Sequence, residues 1–297
     1  MLIDAHIHIW KRDMLPDDAI RNYLEPVRKL KELYGDLFDF GLDDEIPFAD
    51  YDSFKEGLTE MMDCAKLDHA VVLATDFSRV NEGRMTNDEY IAWLDEQCQV
   101  DDRLLLFVGV DPNHKDAVEK LEQYYDRYEP AGVKVYPATG FYPNEERYDA
   151  YWDKIDELGL PVTVHAGMAL APLDEKYCYP SYMKRVAQNH PDMKIIIAHL
   201  GGKFHDELIP LMEECDNVYS DCSAQQGWMP DKDMICKRLD AVTSRFPDRI
   251  VFGSDFPLYE NHTTCSRFIE VIREMDFGND VIKEKLLGKN MARILGL

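Results

Sequence analysis

The sequence contains no apolar run approaching the roughly 20 residues that cross a membrane. Its first residues also lack a basic stretch followed by an apolar one, so nothing predicts a secretion signal. No CxxC pair occurs, and the seven cysteines are an odd number. These absences argue against a disulfide framework and a zinc–thiolate site, and they favour reduced thiols in a cytoplasmic protein with no membrane partner.

Basic residues are scarce, because 33 Lys and Arg stand against 57 Asp and Glu, for a net charge of −24. Such a surface repels the phosphates of nucleic acids and of anionic membranes, so we expect neither as a partner. The hydrophobic content of 45% is typical of a folded globule. A chain of 297 residues is long enough to bury a large core, and its length is normal for a single α/β barrel.

Eight short runs rich in β-branched and aromatic residues alternate with helix-like stretches along the chain. They cover residues 2–9, 69–76, 104–111, 132–137, 161–167, 194–201, 217–223 and 250–257. Strand followed by helix, eight times, predicts a parallel sheet closed into a (β/α)8 TIM barrel, with residues 1–297 as one domain. A doubly wound open sheet would need a glycine-rich turn after its first strand, and "HIHIWKRD" contains no glycine.

One segment interrupts this alternation. Residues 11–52 separate the first predicted strand from the first predicted helix. Long insertions after a barrel strand commonly lie over the active-site mouth, so a cap over the site is one interpretation. A peripheral helical decoration is the other.

The first strand carries polar residues at alternate positions. In "LIDAHIHI", side chains two apart point the same way, so Asp4, His6 and His8 are predicted to share the inner face of the barrel. Burying unpartnered polar groups costs several kcal/mol each, and a metal ion that accepts the imidazole lone pairs removes this cost. Further candidates stand at the carboxyl ends of the predicted strands five, six and eight, which converge on the active site of a TIM barrel: His165, His199 and Asp255.

The motifs "IDAHIH", "GLPVTVHAG", "HLGG" and "GSDFP" together resemble the amidohydrolase superfamily. More narrowly, the sequence is similar to the branch that contains aminocarboxymuconate semialdehyde decarboxylase, related aromatic-acid decarboxylases and lactone hydrolases. The resemblance implies a homodimer and one divalent ion, most often Zn²⁺, with Mn²⁺, Fe²⁺ and Co²⁺ as alternatives that the same ligands suit. It assigns the ion to His6, His8, His165 and Asp255, and it places His199 beside the metal-activated water or the substrate.

The remaining site predictions concern catalysis and substrate binding. Asp255 is expected to accept the proton of the water, and His199 is expected to steady the oxyanion or move a proton. Lys134 is predicted to be a free ammonium that binds a substrate carboxylate or an acidic neighbour. Its carboxylation to bridge two metals, as in binuclear relatives, is the alternative. Tyr136 is predicted as an aromatic wall or simple packing, and Arg79 as a carboxylate clamp or a surface residue.

Two reactions fit these residues. In the first, metal-activated water attacks a lactone, ester or amide carbon of a small organic acid. In the second, the same site removes carbon dioxide from an aromatic or unsaturated carboxylic acid. The resemblance favours the hydrolase. A barrel that only binds a small ligand would be expected to lack part of the metal site, and every expected ligand is present in this sequence.

Overall fold

The structure is a computed structural model that describes residues 1–18, 21, 54–228, 232–258 and 263–297. Eight strands occur in this part of the chain. Numbered β1 to β8 in chain order, they are Ile3–Ile7, His69–Leu73, Leu104–Gly109, Gly132–Val135, Val162–Val164, Ile195–Ile197, Val218–Asp221 and Ile250–Val251. Each strand lies inside one of the eight predicted runs, and most of the runs extend beyond the carboxyl end of their strand as loop.

Helices connect the strands. Numbered α1 to α11, the α-helices with bounds in the described residues are Phe54–Ala65, Asn87–Cys98, Ala117–Tyr128, Asp149–Glu157, Lys184–Asn189, Leu208–Glu214, Gln225–Trp228, Lys232–Thr243, Cys265–Glu274, Asp280–Glu284 and Asn290–Leu295. Their starts follow local chemistry. At the start of α2, for example, Thr86 and Glu89 satisfy each other's backbone N–H groups in a capping box. Of the helices described, none is long and apolar enough to cross a membrane.

The strands form one parallel sheet in the order β1 to β8. The sheet closes between its first and last strands, because the Ala5 N–H donates to Phe252 O and the His8 N–H donates to Phe256 O, both at 2.8 Å. A parallel bridge between Ile7 and Phe256 continues this seam. The predicted (β/α)8 TIM barrel is confirmed.

Alternate side chains on the strands enter two separate apolar clusters. The smaller cluster fills the barrel interior and includes Val71, Phe107, Ile196, Tyr219 and Val251. Met291 and Ala292 of α11 complete it, and the backbone before α11 packs tightly on Met1, so this helix closes the amino-terminal end. The larger cluster joins the outward side chains of the strands to the surrounding helices. The carboxyl ends of the strands are left for polar groups, as the barrel architecture predicts.

A β-bulge in β1 corrects one expectation. The pairing of β1 with β2 shifts by one residue between Asp4 and Ile7, so simple alternation fails there. Ala5 belongs to the interior cluster, whereas Asp4 lies on the helix side, where its Oδ2 is 3.7 Å from the Cys265 Sγ of α9. The prediction that Asp4 shares a face with His6 is therefore wrong.

Most of the 11–52 insertion, at residues 19–20 and 22–52, lies outside the described residues.

Candidate metal centre

Three side chains meet where β1 and β8 end. His6 is the second-last residue of β1, His8 follows that strand directly, and Asp255 lies beyond β8. The two Nε2 atoms are 3.2 Å apart, and Asp255 Oδ1 is 3.5 Å from each of them. All three side chains are buried. The backbone of Asp255 adopts a left-handed conformation, with φ at 60°, and its N–H donates to His6 O at 2.8 Å. Burial raises the pKa of its carboxyl to about 7.

Hydrogen bonds on the outer nitrogens set the tautomers of the first two imidazoles. His6 Nδ1 is 2.8 Å from Asp221 Oδ2, and His8 Nδ1 is 2.8 Å from Leu73 O. Carboxylate and carbonyl oxygens only accept, so each Nδ1 carries the proton. Burial keeps the pKa of both rings well below the ordinary value, so the rings are neutral and each Nε2 presents a lone pair. Two lone pairs and a carboxylate oxygen therefore face one another.

This arrangement fits a divalent ion. A tetrahedral zinc with bonds of about 2.0–2.1 Å places its ligand atoms about 3.3 Å apart. The three separations of 3.2, 3.5 and 3.5 Å lie close to that value. His6, His8 and Asp255 form a cluster able to hold a metal ion on geometric grounds. A cation among them would satisfy these lone pairs and the carboxylate together.

A second pair of imidazoles lies beside the first. His199 follows β6 in the left-handed region at φ 61°, and its ring centroid is 4.7 Å from that of His6. Its Nε2 is 3.2 Å from His165 Nδ1, and His165 Nε2 is 3.1 Å from Met168 O. The structure thus places His165 next to His199, outside the three-residue cluster. Burial lowers the pKa of the His165 ring to about 3.

Lys134 reaches the same centre from β4. Its side chain is buried, and its Nζ is 3.4 Å from His6 Nε2. Burial lowers the pKa of this ammonium to about 8, against the opposing attraction of Asp221 and Asp255. Lys134 thus brings a cationic group to the lone pairs of the site.

The two other predicted substrate-binding residues lie further out. Tyr136 stacks on the His165 ring with centroids 4.2 Å apart. Arg79 is anchored at the rim, where its Nε donates to Asp111 Oδ2 at 2.9 Å and its Nη2 donates to Thr139 O at 3.2 Å. About a third of the Arg79 side chain stays exposed, so it can still approach a ligand at the mouth.

Sequence reasoning assigned no role to Asp221, the last residue of β7. This residue orients the His6 ring through Oδ2, 2.8 Å from His6 Nδ1. Asp4 instead accepts the backbone N–H groups of His6 and Ser254, both at 3.0 Å, and so joins β1 to the end of β8. The sequence could have pointed to Asp221. Like His165, it is a polar residue at the carboxyl end of a predicted strand, where the active site of a TIM barrel lies.

Comparison with known proteins agrees with this geometry. A family model described as Amidohydrolase matches residues 3–297. The chain belongs to the amidohydrolase family. It is an amidohydrolase-family enzyme in which the histidine-rich end of the barrel carries the candidate site. No curated protein matches the sequence significantly.

Solved structures share the fold of this amidohydrolase. An uncharacterised TIM-barrel protein from Bordetella bronchiseptica has 19% identity and a TM-score of 0.71, covering 99% of this chain and 98% of its own. The 5-carboxyvanillate decarboxylase of Sphingomonas paucimobilis has 14% identity and a TM-score of 0.68, covering 100% and 99%. A probable 2-pyrone-4,6-dicarboxylic acid hydrolase from Acinetobacter baumannii, with citric acid bound, has 14% identity and a TM-score of 0.64, covering 100% and 99%.

Proposed function

We propose that this amidohydrolase is a metal-dependent hydrolase that cleaves a lactone, ester or amide bond of a small, carboxylate-bearing organic acid. His6, His8 and Asp255, with His165 as the fourth ligand, would hold one divalent ion, zinc before manganese, iron or cobalt. The observation that carries the proposal is the set of two imidazole lone pairs and one carboxylate oxygen 3.2–3.5 Å apart.

The side chains around this cluster suit hydrolysis. A bound divalent ion supplies Lewis acidity and lowers the pKa of water towards about 7. Asp255 directs Oδ1 at both imidazoles, which leaves Oδ2 to take the proton of the attacking water. Burial raises the pKa of this carboxyl to about 7 without a metal, and a bound cation would lower it, so the carboxyl is ionised and able to accept a proton near neutral pH. His199 stands beside the cluster, with its ring centroid 4.7 Å from that of His6, where it is placed to move a proton.

Substrate binding is assigned to Lys134, Tyr136 and Arg79. The Lys134 ammonium attracts a carboxylate at the centre, the Tyr136 ring forms one wall, and the Arg79 guanidinium meets a second acidic group at the rim. Two cationic groups in a protein of net charge −24 support a substrate that carries carboxylate.

Decarboxylation is the alternative reaction, and the position of Lys134 favours it in one respect. An ammonium 3.4 Å from His6 Nε2 would hold a substrate carboxylate beside the ion, where loss of carbon dioxide requires it. Solved structures of similar fold bear the names of both reactions, so the fold does not choose between them.

The other properties proposed for the protein have separate support. All seven cysteines lie in the described part of the chain and none of them forms a disulfide, which supports a reducing, cytoplasmic location. The homodimer rests on the family resemblance alone.

Elemental analysis paired with a substrate panel tests the proposal. The purified enzyme should contain about one equivalent of a divalent metal, and His6→Ala should lower it. A panel of lactones and hydroxybenzoates is then assayed separately for acid release and for carbon dioxide. Acid release that Asp255→Asn abolishes, with an unchanged circular dichroism spectrum, supports the hydrolase. Carbon dioxide release alone selects the alternative, and near-native turnover in Asp255→Asn contradicts the role given to this carboxylate.

A further inference from the structure

We propose that Asp221 is a positioning residue that fixes which ring nitrogen of His6 faces the ion. Through Ser223 it fixes the ring nitrogen of His199 in the same way. This inference rests on the proposed function for its consequence, since an imidazole binds metal only through an unprotonated nitrogen. The hydrogen bonds on which it is argued join protein atoms only and do not depend on the ion.

Asp221 accepts hydrogen bonds from three segments of chain. Its Oδ2 lies 2.8 Å from His6 Nδ1 of β1. Its Oδ1 accepts the His199 N–H at 2.9 Å, the Ser223 N–H at 3.0 Å and the Ser223 hydroxyl. The carboxylate is fully buried, so each of these four donors depends on it and not on water.

Ser223 passes the same constraint to the other imidazole. The hydroxyl has a single proton, and the neighbouring carboxylate oxygen of Asp221 can only accept it. Ser223 Oγ is also 2.7 Å from His199 Nδ1, and with its proton already committed it must accept there. His199 Nδ1 therefore carries the ring proton, and His199 Nε2 presents a lone pair. In this state His199 acts as a proton acceptor or ligand and not as a donor.

An amide cannot replace this carboxylate. Asparagine has one acceptor oxygen and one NH₂ group, whereas the four donors approach both oxygens of Asp221. If the amide oxygen in Asp221→Asn keeps the contacts with Ser223 and His199, its NH₂ group points toward His6 Nδ1. His6 Nδ1 then faces this NH₂ group at 2.8 Å and Ser223 Oγ at 3.2 Å, and the shorter contact makes it accept and carry its proton on Nε2, where the proton blocks the ion. Asp221→Asn thus changes the chemistry of His6 with little change of volume.

The test measures ring tautomers in the metal-free protein by long-range ¹H–¹⁵N NMR with labelled histidine. Wild type should show the Nδ1–H form at His6 and His199, and Asp221→Asn should convert His6 to the Nε2–H form. Ser223→Ala removes a 3.2 Å contact to His6 Nδ1 but leaves the shorter one to Asp221 Oδ2, so His6 should keep the Nδ1–H form while His199 becomes a mixture of tautomers. Ser220→Ala is the matched control, because Ser220 is equally buried on the same strand and donates to Ile197 O at 2.6 Å, away from every imidazole.

Metal affinity, measured by zinc titration against a chelating indicator, provides the second readout. Asp221→Asn should weaken zinc binding by about 10–100-fold, as loss of a partner behind a ligand imidazole does elsewhere, and Ser220→Ala should not. If Asp221→Asn keeps the Nδ1–H form of His6 and the wild-type zinc affinity, the inference is overturned. If Asp221→Asn does not fold, Ser223→Ala decides, since an unchanged His199 tautomer there also overturns it.

Failure of the proposed function would look different. A wild-type protein that binds no metal removes the hydrolase proposal, while the tautomers of the metal-free protein still support or overturn the role of Asp221.

Discussion

Gly253 leaves the space that His6 needs, and filling that space should damage the site. A Cβ on residue 253 would lie 2.8 Å from His6 Cβ and 3.1 Å from Ser223 Cβ. Ordinary van der Waals contact begins at 3.4 Å, so the two distances are too short by about 0.6 Å and about 0.3 Å. Both neighbours are held by hydrogen bonds to Asp221, so they cannot simply turn away. In Gly253→Ala the His6 ring must therefore move.

The expected losses of stability and of zinc affinity in Gly253→Ala can be estimated from the size of this overlap. Overpacking a buried position costs about 1–3 kcal/mol, which lowers Tm by a few degrees in a domain of this size. Metal–ligand distances hold within about 0.2 Å, so a shift of about 0.6 Å in His6 should weaken zinc binding by about tenfold or more. Thermal denaturation and zinc titration of the same preparation measure both effects.

Gly57→Ala is the control for this substitution. Gly57 is an exposed residue inside α1, and a Cβ there meets nothing within 4 Å. It should leave zinc affinity unchanged and stabilise the protein by about 0.4–1 kcal/mol, because alanine restricts the unfolded chain. A Gly253→Ala protein with wild-type Tm and wild-type zinc affinity would refute the reasoning.

Three further predictions concern the rest of the molecule. A thiol reagent should label the exposed Cys64 first and the half-buried Cys236 next, and fast labelling of more than two thiols in the folded protein would contradict the packing. A hydrogen bond to Asp76 raises the pKa of His114, so its protonation stabilises the fold below pH 6.5, and this is lost as pH rises through the folded pKa. The Tm gap between wild type and His114→Gln should accordingly shrink from about pH 6 to about pH 8.5, and a constant gap speaks against it. Asn217→Ala should cost about 1–3 kcal/mol in urea denaturation, since Nδ2 of Asn217 donates to three buried carbonyls; a loss near zero would show that they find other partners.

The barrel could be predicted because its signal is local and repeated. A run such as "KIIIAHLG" is β-branched where it pairs and turns polar where pairing stops, so β6 ends at Ile197 and His199 is left in the loop beyond it. The same reasoning brings His6, His8 and Asp255 together, because the carboxyl ends of parallel strands in a closed barrel converge.

Other features depend on partners distant in sequence. The bulge that moves Asp4 to the helix side arises from the pairing of β1 with β2, and the composition of "IDAHI" does not reveal it. The role of Asp221 depends on donors from β1 and from the loop after β6, 215 and 22 residues away in sequence. The pairing of His165 with His199 likewise follows from three-dimensional placement, because each ring is oriented by an oxygen of its own.

The most direct measurement is an anomalous difference map, recorded at the zinc edge from a crystal of the zinc-loaded protein. We predict a single strong peak at the carboxyl end of the barrel, about 2.0–2.2 Å from His6 Nε2, His8 Nε2 and a carboxylate oxygen of Asp255. A map with no peak between these atoms, or with zinc bound only elsewhere, would contradict the metal centre.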